Sequence, residues 1–178
     1  MGSKLPIPSI TLRYKGVFDL DGLYAAVTSW AKNYEFLWHE RDYKHKVPVP
    51  AGAEQEMKWD LSRKVTDYIS YSISMAVQIW DLKEIQVEEN GKKKRLSNAR
   101  IQININGVVI SDWQKIFGKG KFAGKLGNWY EKVFIKSDLE GRYWDPLYYR
   151  IWNLHAILKK YLEMQGQKYA YKGYLGED

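Results

Sequence analysis

With 178 residues and no cysteine, the chain has the length of one well-buried domain and excludes disulfides, thiolate metal sites and a cysteine nucleophile. A net charge of +7 favours acidic partners such as nucleic acid or an anionic surface, and no stretch approaches the roughly 20 apolar residues of a membrane span. Trp, Tyr and Phe make up 15% of the chain, a share that fills cores, lines cavities or anchors interfaces.

The first residues lack the long apolar core of a signal peptide, so a cytoplasmic location is expected. Ile10, Leu12 and Tyr14 alternate before Gly16 and predict a first strand behind a lead-in containing Pro6 and Pro8. Asp19 is a candidate cap for a helix whose Leu20, Leu23, Tyr24, Val27, Trp30 and Ala31 form one apolar stripe. A strand-like stretch over 37–46 then meets Val47, Pro48, Val49 and Pro50, read as a loop because proline cannot pair inside a sheet. Met57, Trp59 and Leu61 alternate next, with Ser62, Arg63 and Lys64 as the turn into a long strand over 66–80.

That long strand carries the clearest pattern in the chain. Ile69, Tyr71, Ile73, Met75, Val77 and Ile79 alternate with Ser70, Ser72, Ser74, Ala76 and Gln78, which predicts one buried and one polar face. Asn90 and Gly91 mark a tight hairpin, and counting outward sets Glu89 opposite Lys92, Glu88 opposite Lys93 and Ile85 opposite Leu96. Apolar parity changes between Leu96 and Ile101, so a bulge or break is expected at Ser97 and Asn98. Residues 113–128 read as a loop with a short helical piece, and 129–139 as a helix. Asp145 and Pro146 fit an N-cap and first helical position, opening a helix with Leu147, Ile151, Leu154, Leu158 and Leu162 on one face. Residues 1–165 are expected to form a single domain, and 166–178 a flexible tail rich in Gly, Tyr and Lys.

Chemistry is sparsely marked. Gly118, Gly120 and Ala123, interleaved with Lys119, Lys121 and Lys125, match a phosphate-loop pattern, but no βαβ unit surrounds them, leaving at most a general anion contact. Lys92, Lys93, Lys94 and Arg95 make a basic hairpin tip whose field Glu88 and Glu89 partly cancel. His39 and His45 are six positions apart, too far along a strand to share an ion, so no metal and no cofactor is expected. No pair of carboxylates converges by spacing and no nucleophile motif is present, which makes enzyme activity the less favoured reading.

The aromatic surplus divides into two sets. Trp30, Trp59, Tyr71 and Trp152 are candidates for lining a ligand cavity between the sheet and the last helix. Trp38, Trp113, Trp144, Tyr148, Tyr149, Tyr169, Tyr171 and Tyr174 are candidates for contact with another chain.

The strings GVFDLDGLY, RKVTDYISYSI and NGKKKRL resemble those of small uncharacterised archaeal proteins, a resemblance that brings no activity and no site. The order strand, helix, several antiparallel strands, long C-terminal helix is similar to the helix-grip arrangement of START-like lipid and ligand carriers. The expectation is an α+β domain with one twisted antiparallel sheet of five or six strands, its N-terminal and C-terminal helices packed on one face. The leading functional expectation is a non-catalytic protein acting through contacts with itself or another protein. A hydrophobic-ligand carrier and a nucleic-acid-binding protein are the alternatives.

Overall fold

A computed structural model describes residues 4–49, 52–89, 92–111 and 140–162, with backbone alone at 47–49, 87–89, 92–94 and 140. The expected loop with its short helical piece over 113–128, the expected helix over 129–139 and the tail lie outside these residues. In chain order the elements are β1 (Lys4–Pro6), β2 (Ile10–Phe18), α1 (Leu20–Asn33), β3 (Leu37–Val49), β4 (Gly52–Lys64), β5 (Ile69–Glu89) and β6 (Lys92–Ser111). A π-helical turn, Glu140–Trp144, then leads into α2 (Asp145–Tyr161). The sheet has six strands in the order β1-β6-β5-β4-β3, and β2 continues the β1 edge along β6. Every pairing is antiparallel.

Alternation in β5 and β6 works as the sequence implies. Ile69, Tyr71, Ile73, Met75, Val77 and Ile79 face inward opposite Ser111, Val109, Gly107, Ile105, Ile103 and Ile101, and all of these but Gly107 are at most 3% exposed. The opposite face is a polar lattice in which Arg13, Gln102, Gln78, Glu56 and Lys44 stand side by side across five strands. Arg13 Nε donates to Gln102 Oε1 at 2.9 Å, and Thr11 Oγ1 to Asn104 Oδ1 at 2.8 Å.

Both helices cover the inner face. Asp19 caps α1 by accepting from the Gly22 N–H at 2.8 Å, and Leu23, Val27, Trp30 and Ala31 are buried. Leu147, Ile151, Leu154 and Leu158 of α2 are at most 1% exposed, each contributing about 1.5–3 kcal/mol by leaving water. Trp30 Nε1 donates to Asn153 Oδ1 at 3.1 Å, and Arg150 lies over the Tyr34 ring at 5.5 Å, so the two helices are tied at both polar and aromatic positions. Gly107 lets α2 lie close on the sheet, since a Cβ there would fall on Ile151 Cδ1.

Five local expectations need correction. The proline-containing lead-in is itself a strand, β1, tolerated because it pairs on one side only, with β6. The stretch with Pro48 belongs to β3, which lies at the sheet edge where a missing N–H is not needed, and a register shift between Lys46 and Val49 accommodates it. The turn into β5 spans Val65–Tyr68 rather than 62–64, held by Thr66 Oγ1, which accepts from the Ile69 N–H at 2.9 Å. Asp145 is the first helical residue, not the cap: the π-helical turn leaves Trp144 already in helical conformation, with no side-chain cap.

The fifth concerns the bulge, which falls on β5 and not at Ser97 and Asn98. Trp80 pairs with Arg100 and Lys83 with Asn98, so Asp81 and Leu82 together oppose Ala99. Asp81 adopts the left-handed φ of 56°, and Gly52, at φ 132°, packs against its backbone where a Cβ would come within 2.6 Å of the Asp81 carbonyl carbon. Beyond the bulge β5 and β6 run on as a two-stranded arm. Among the described residues β4 reaches only Leu82, and β2 reaches only Ser97.

Candidate functional site

Among the described residues three surfaces concentrate side chains able to bind something: the outward face of α2, a groove under the arm, and a basic patch on the polar side of the sheet. Trp144, Tyr148, Tyr149, Trp152 and His155 form a continuous aromatic run along α2. Trp144 stacks on Tyr148 at 5.1 Å, Tyr148 meets Tyr149 at 5.6 Å and Trp152 at 6.1 Å, and Trp152 meets His155 at 4.8 Å. Tyr149 is 68% and Trp152 41% exposed, a large apolar outlay for a surface helix. Burial, and then the Lys159 charge, hold His155 below the ordinary imidazole value.

The candidates for chain contact do not all share that face. Trp38 turns inward against Trp59 at 4.9 Å and Tyr24 at 5.6 Å. Trp144 is half-buried and donates through Nε1 to the Pro6 carbonyl at 3.1 Å, which fixes the start of α2 to β1. Trp113, Tyr169, Tyr171 and Tyr174 lie outside the described residues. Trp152, grouped with the cavity set by its place in the helix, joins the outward run instead, because it follows Ile151 by one position and so leaves the buried stripe.

The other cavity candidates fill the core. Trp30 stacks on Phe36 at 5.4 Å, Phe36 stacks on Tyr71 at 6.5 Å, and Tyr24 meets Trp59 edge-on at 5.4 Å. Trp30, Trp59 and Tyr71 are at most 2% exposed, and they line none of the grooves described below. Tyr71 donates through its hydroxyl to the Tyr143 carbonyl at 2.9 Å, and burial raises its phenol above the ordinary value. The Trp59 indole N–H is buried without a hydrogen-bond partner among the described residues.

A groove of about 530 Å³ opens on the inner face where the sheet runs past the N-terminal end of α1. The first turn of α1 supplies Leu20, Asp21 and Tyr24, β3 supplies Glu40 and Tyr43, and β4 supplies Gln55 and Met57. The arm beyond the bulge supplies Leu82, Glu84, Arg95 and Ser97. The bulge is what brings Leu82 and Glu84 to this side, since unbroken alternation from Ile79 would turn both outward. Burial, and then the neighbouring Glu40 carboxylate to which it is hydrogen-bonded, raise the Tyr24 phenol above its ordinary value, so Tyr24 stays a neutral donor.

On the polar face, Trp80 sits among Arg13, Lys15 and Arg100 beside a shallow depression of about 520 Å³. This departs from a face of Ser, Gln and Asn alone. Two of the three cations are already engaged, however, since Arg13 donates to Gln102, and Arg100 pairs with Asp81 at 2.6 Å while lying over the Trp80 ring at 5.9 Å. Arg95 is exposed at the rim of the inner groove; the side chains of Lys92, Lys93 and Lys94 and all of Lys119, Lys121 and Lys125 fall outside the description. His39 pairs with Asp60 and His45 with Gln55, and the register shift after Glu40 puts the two imidazoles on opposite faces. Among the described residues no three His, Asp or Glu side chains converge as a metal site, and no helix is long and apolar enough to cross a membrane.

No family model matches the chain, and no curated protein matches it in sequence.

Proposed function

We propose that this protein works by contact and not by catalysis, pairing with a second copy of itself through the exposed face of α2. The observation that carries this reading is the stripe Asp145, Tyr149, Trp152, Ala156 and Lys160, all exposed, running the length of the helix opposite its buried leucines. The spacing of four, three, four and four is that of a helix–helix seam. Two copies laid antiparallel about a two-fold axis near Trp152 set Asp145 against the second copy's Lys160, and Tyr149 against its Ala156. Opposite charges then meet at both ends, a large side chain faces a small one, and the two helix dipoles oppose.

The helix is about 25 Å long and its seam about 12 Å wide, so it covers on the order of 300 Å² per copy. A standard stable interface covers about 800 Å² per partner, which makes the expected dimer weak and concentration-dependent.

Sedimentation equilibrium of the full chain from about 1 μM to about 1 mM tests this. A monomer–dimer equilibrium is expected, weakened at least fivefold by Trp152→Ala or Asp145→Lys. Adding Lys160→Asp to Asp145→Lys should restore it. A strict monomer throughout, or a dimer indifferent to all these changes, defeats the proposal.

A further inference from the structure

We propose that the Trp80 corner of the polar sheet face binds single-stranded nucleic acid, stacking a base against Trp80 and holding the flanking phosphates with Arg13, Lys15 and Arg100. The first support is the uneven spread of charge over that face. Toward β3 and β4, Asp42, Glu54, Glu56 and Asp60 are each bridged to Arg41, Lys46 or Lys58. Toward β2, Lys15, Arg100 and Trp80 stand in one row across three strands, with Arg13 two residues along from Lys15. Lys83 lies opposite Asn98, two residues along β6 from Arg100, and so shares the face. Among the described residues only Asp81 forms an ion pair with any of these four cations. A field of this sign draws a polyanion.

The second support is the way the two guanidinium groups are held. Arg13 donates through Nε to Gln102 at 2.9 Å, and Arg100 through Nε to Asp81 at 2.6 Å. One bond thus fixes the direction of each, while the terminal nitrogens make no further hydrogen bond among the described residues. Roughly four of the five donors of each guanidinium remain for an incoming phosphate. Gln102 is neutral, so the charge of Arg13 is uncompensated by its partner. A planar fork already held in place loses little freedom on meeting a phosphate. Lys15, exposed and outside every ion pair among the described residues, adds a third contact.

Trp80 supplies what charge alone lacks. It is half-buried, and it borders both the basic depression of about 520 Å³ and a smaller one lined by Lys44, Lys46, Glu54 and Glu56. The Arg100 guanidinium stands 5.9 Å from the ring centre, beyond the about 3.5–4.0 Å of a flat stack, so part of the ring face stays open. A base can stack there only if its own faces are not already occupied inside a duplex, which selects a single strand. Both helices bury their apolar stripes on the other side of the sheet, so pairing through α2 leaves this corner clear.

Fluorescence anisotropy of a labelled oligothymidylate of about twelve nucleotides, titrated with the full chain at about 0.05–0.2 M salt, reads the surface. Saturable binding is expected, with log K falling against log salt at a slope of about −2, the value for three phosphate contacts on a single strand. The duplex of the same strand with oligodeoxyadenylate carries the denser charge, yet should bind at least about fivefold more weakly. Trp80→Ala should cost at least about fivefold, and Trp80→Phe, which keeps a ring, should fall between it and the parent. Lys15→Gln should reduce the salt slope by about 0.7. Lys32→Glu, a reversal of an exposed charge on α1, removes more net charge than Lys15→Gln and should nevertheless weaken binding less. Absent binding, a duplex held as tightly as the single strand, an unchanged affinity in Trp80→Ala, or a Lys32→Glu effect as large as that of Lys15→Gln would each overturn the proposal.

Discussion

Replacing Gly107 by alanine tests the placement of α2 on the sheet. The added methyl falls on Ile151 Cδ1 and comes within 3.3 Å of Ile7 Cδ1, both side chains being at most 5% exposed, so neither can swing into solvent. Overpacking of this kind costs about 1–3 kcal/mol, and the lower chain entropy of alanine in a strand returns roughly 0.5–1 kcal/mol. The net expectation is a loss of about 1–2 kcal/mol, or a fall in Tm of several degrees for a chain of this length. Ile151→Val alone should cost about 0.5–1.5 kcal/mol, and it trims the carbon on which the new methyl falls most closely. In the double variant that carbon is gone, so the losses should fall short of additivity by at least about 1 kcal/mol, well beyond the 0.3–0.5 kcal/mol scatter of independent sites. Urea unfolding of the four proteins measures the cycle. Strict additivity, or an alanine variant as stable as the parent, would show that α2 does not press on β6 at this point.

Gly52→Ala should destabilise by about 1–3 kcal/mol, because φ 132° disfavours a side chain and the methyl would strike the Asp81 backbone. Chemical unfolding of the variant beside the parent checks this, and an unchanged midpoint would refute it. His155 titrates below its ordinary value of 6.5 in the folded chain, so as pH falls the unfolded chain takes up its proton first. Its contribution to stability is therefore complete above about pH 6.5 and lost as pH falls through the lower folded value. His155→Gln should flatten that part of the stability profile, and an unchanged difference between neutral and mildly acidic pH would contradict the assignment.

Much of the fold was legible in the sequence. Asn90 and Gly91 fixed a register that holds to the residue, with Glu89 opposite Lys92, Glu88 opposite Lys93 and Ile85 opposite Leu96. The stripes of α1 and α2 were equally readable, since helical and strand periods leave different marks on long segments. The bulge was visible as a break in parity but was assigned to the wrong strand. A change of face relative to a partner is shared by the pair, and nothing local says which strand carries the extra residue; in the structure it is Asp81 of β5 that takes the left-handed conformation. The groove could not be seen in this way at all. Its lining comes from α1, two further strands and the arm, segments far apart in the chain. The outward stripe of α2 was half visible, in Tyr149, while Trp152, expected to line a cavity under the sheet, is exposed on the outward face.

The two-stranded arm beyond Asp81 has a consequence for survival in a crowded solution. Along 86–95 neither β5 nor β6 has an outer neighbour among the described strands, so the arm presents two open edges of unpaired N–H and C=O groups. Such edges are templates on which another extended chain can add. The sequence there is Gln, Val, Glu, Glu, Asn, Gly, Lys, Lys, Lys, Arg, with one strand acidic and the other basic. A strand edge rich in one sign of charge discourages the addition of another chain of like sign. The charged run in the sequence of 88–95, read first as a nucleic-acid finger, is thus also the kind of composition that guards an open strand edge against the addition of another chain.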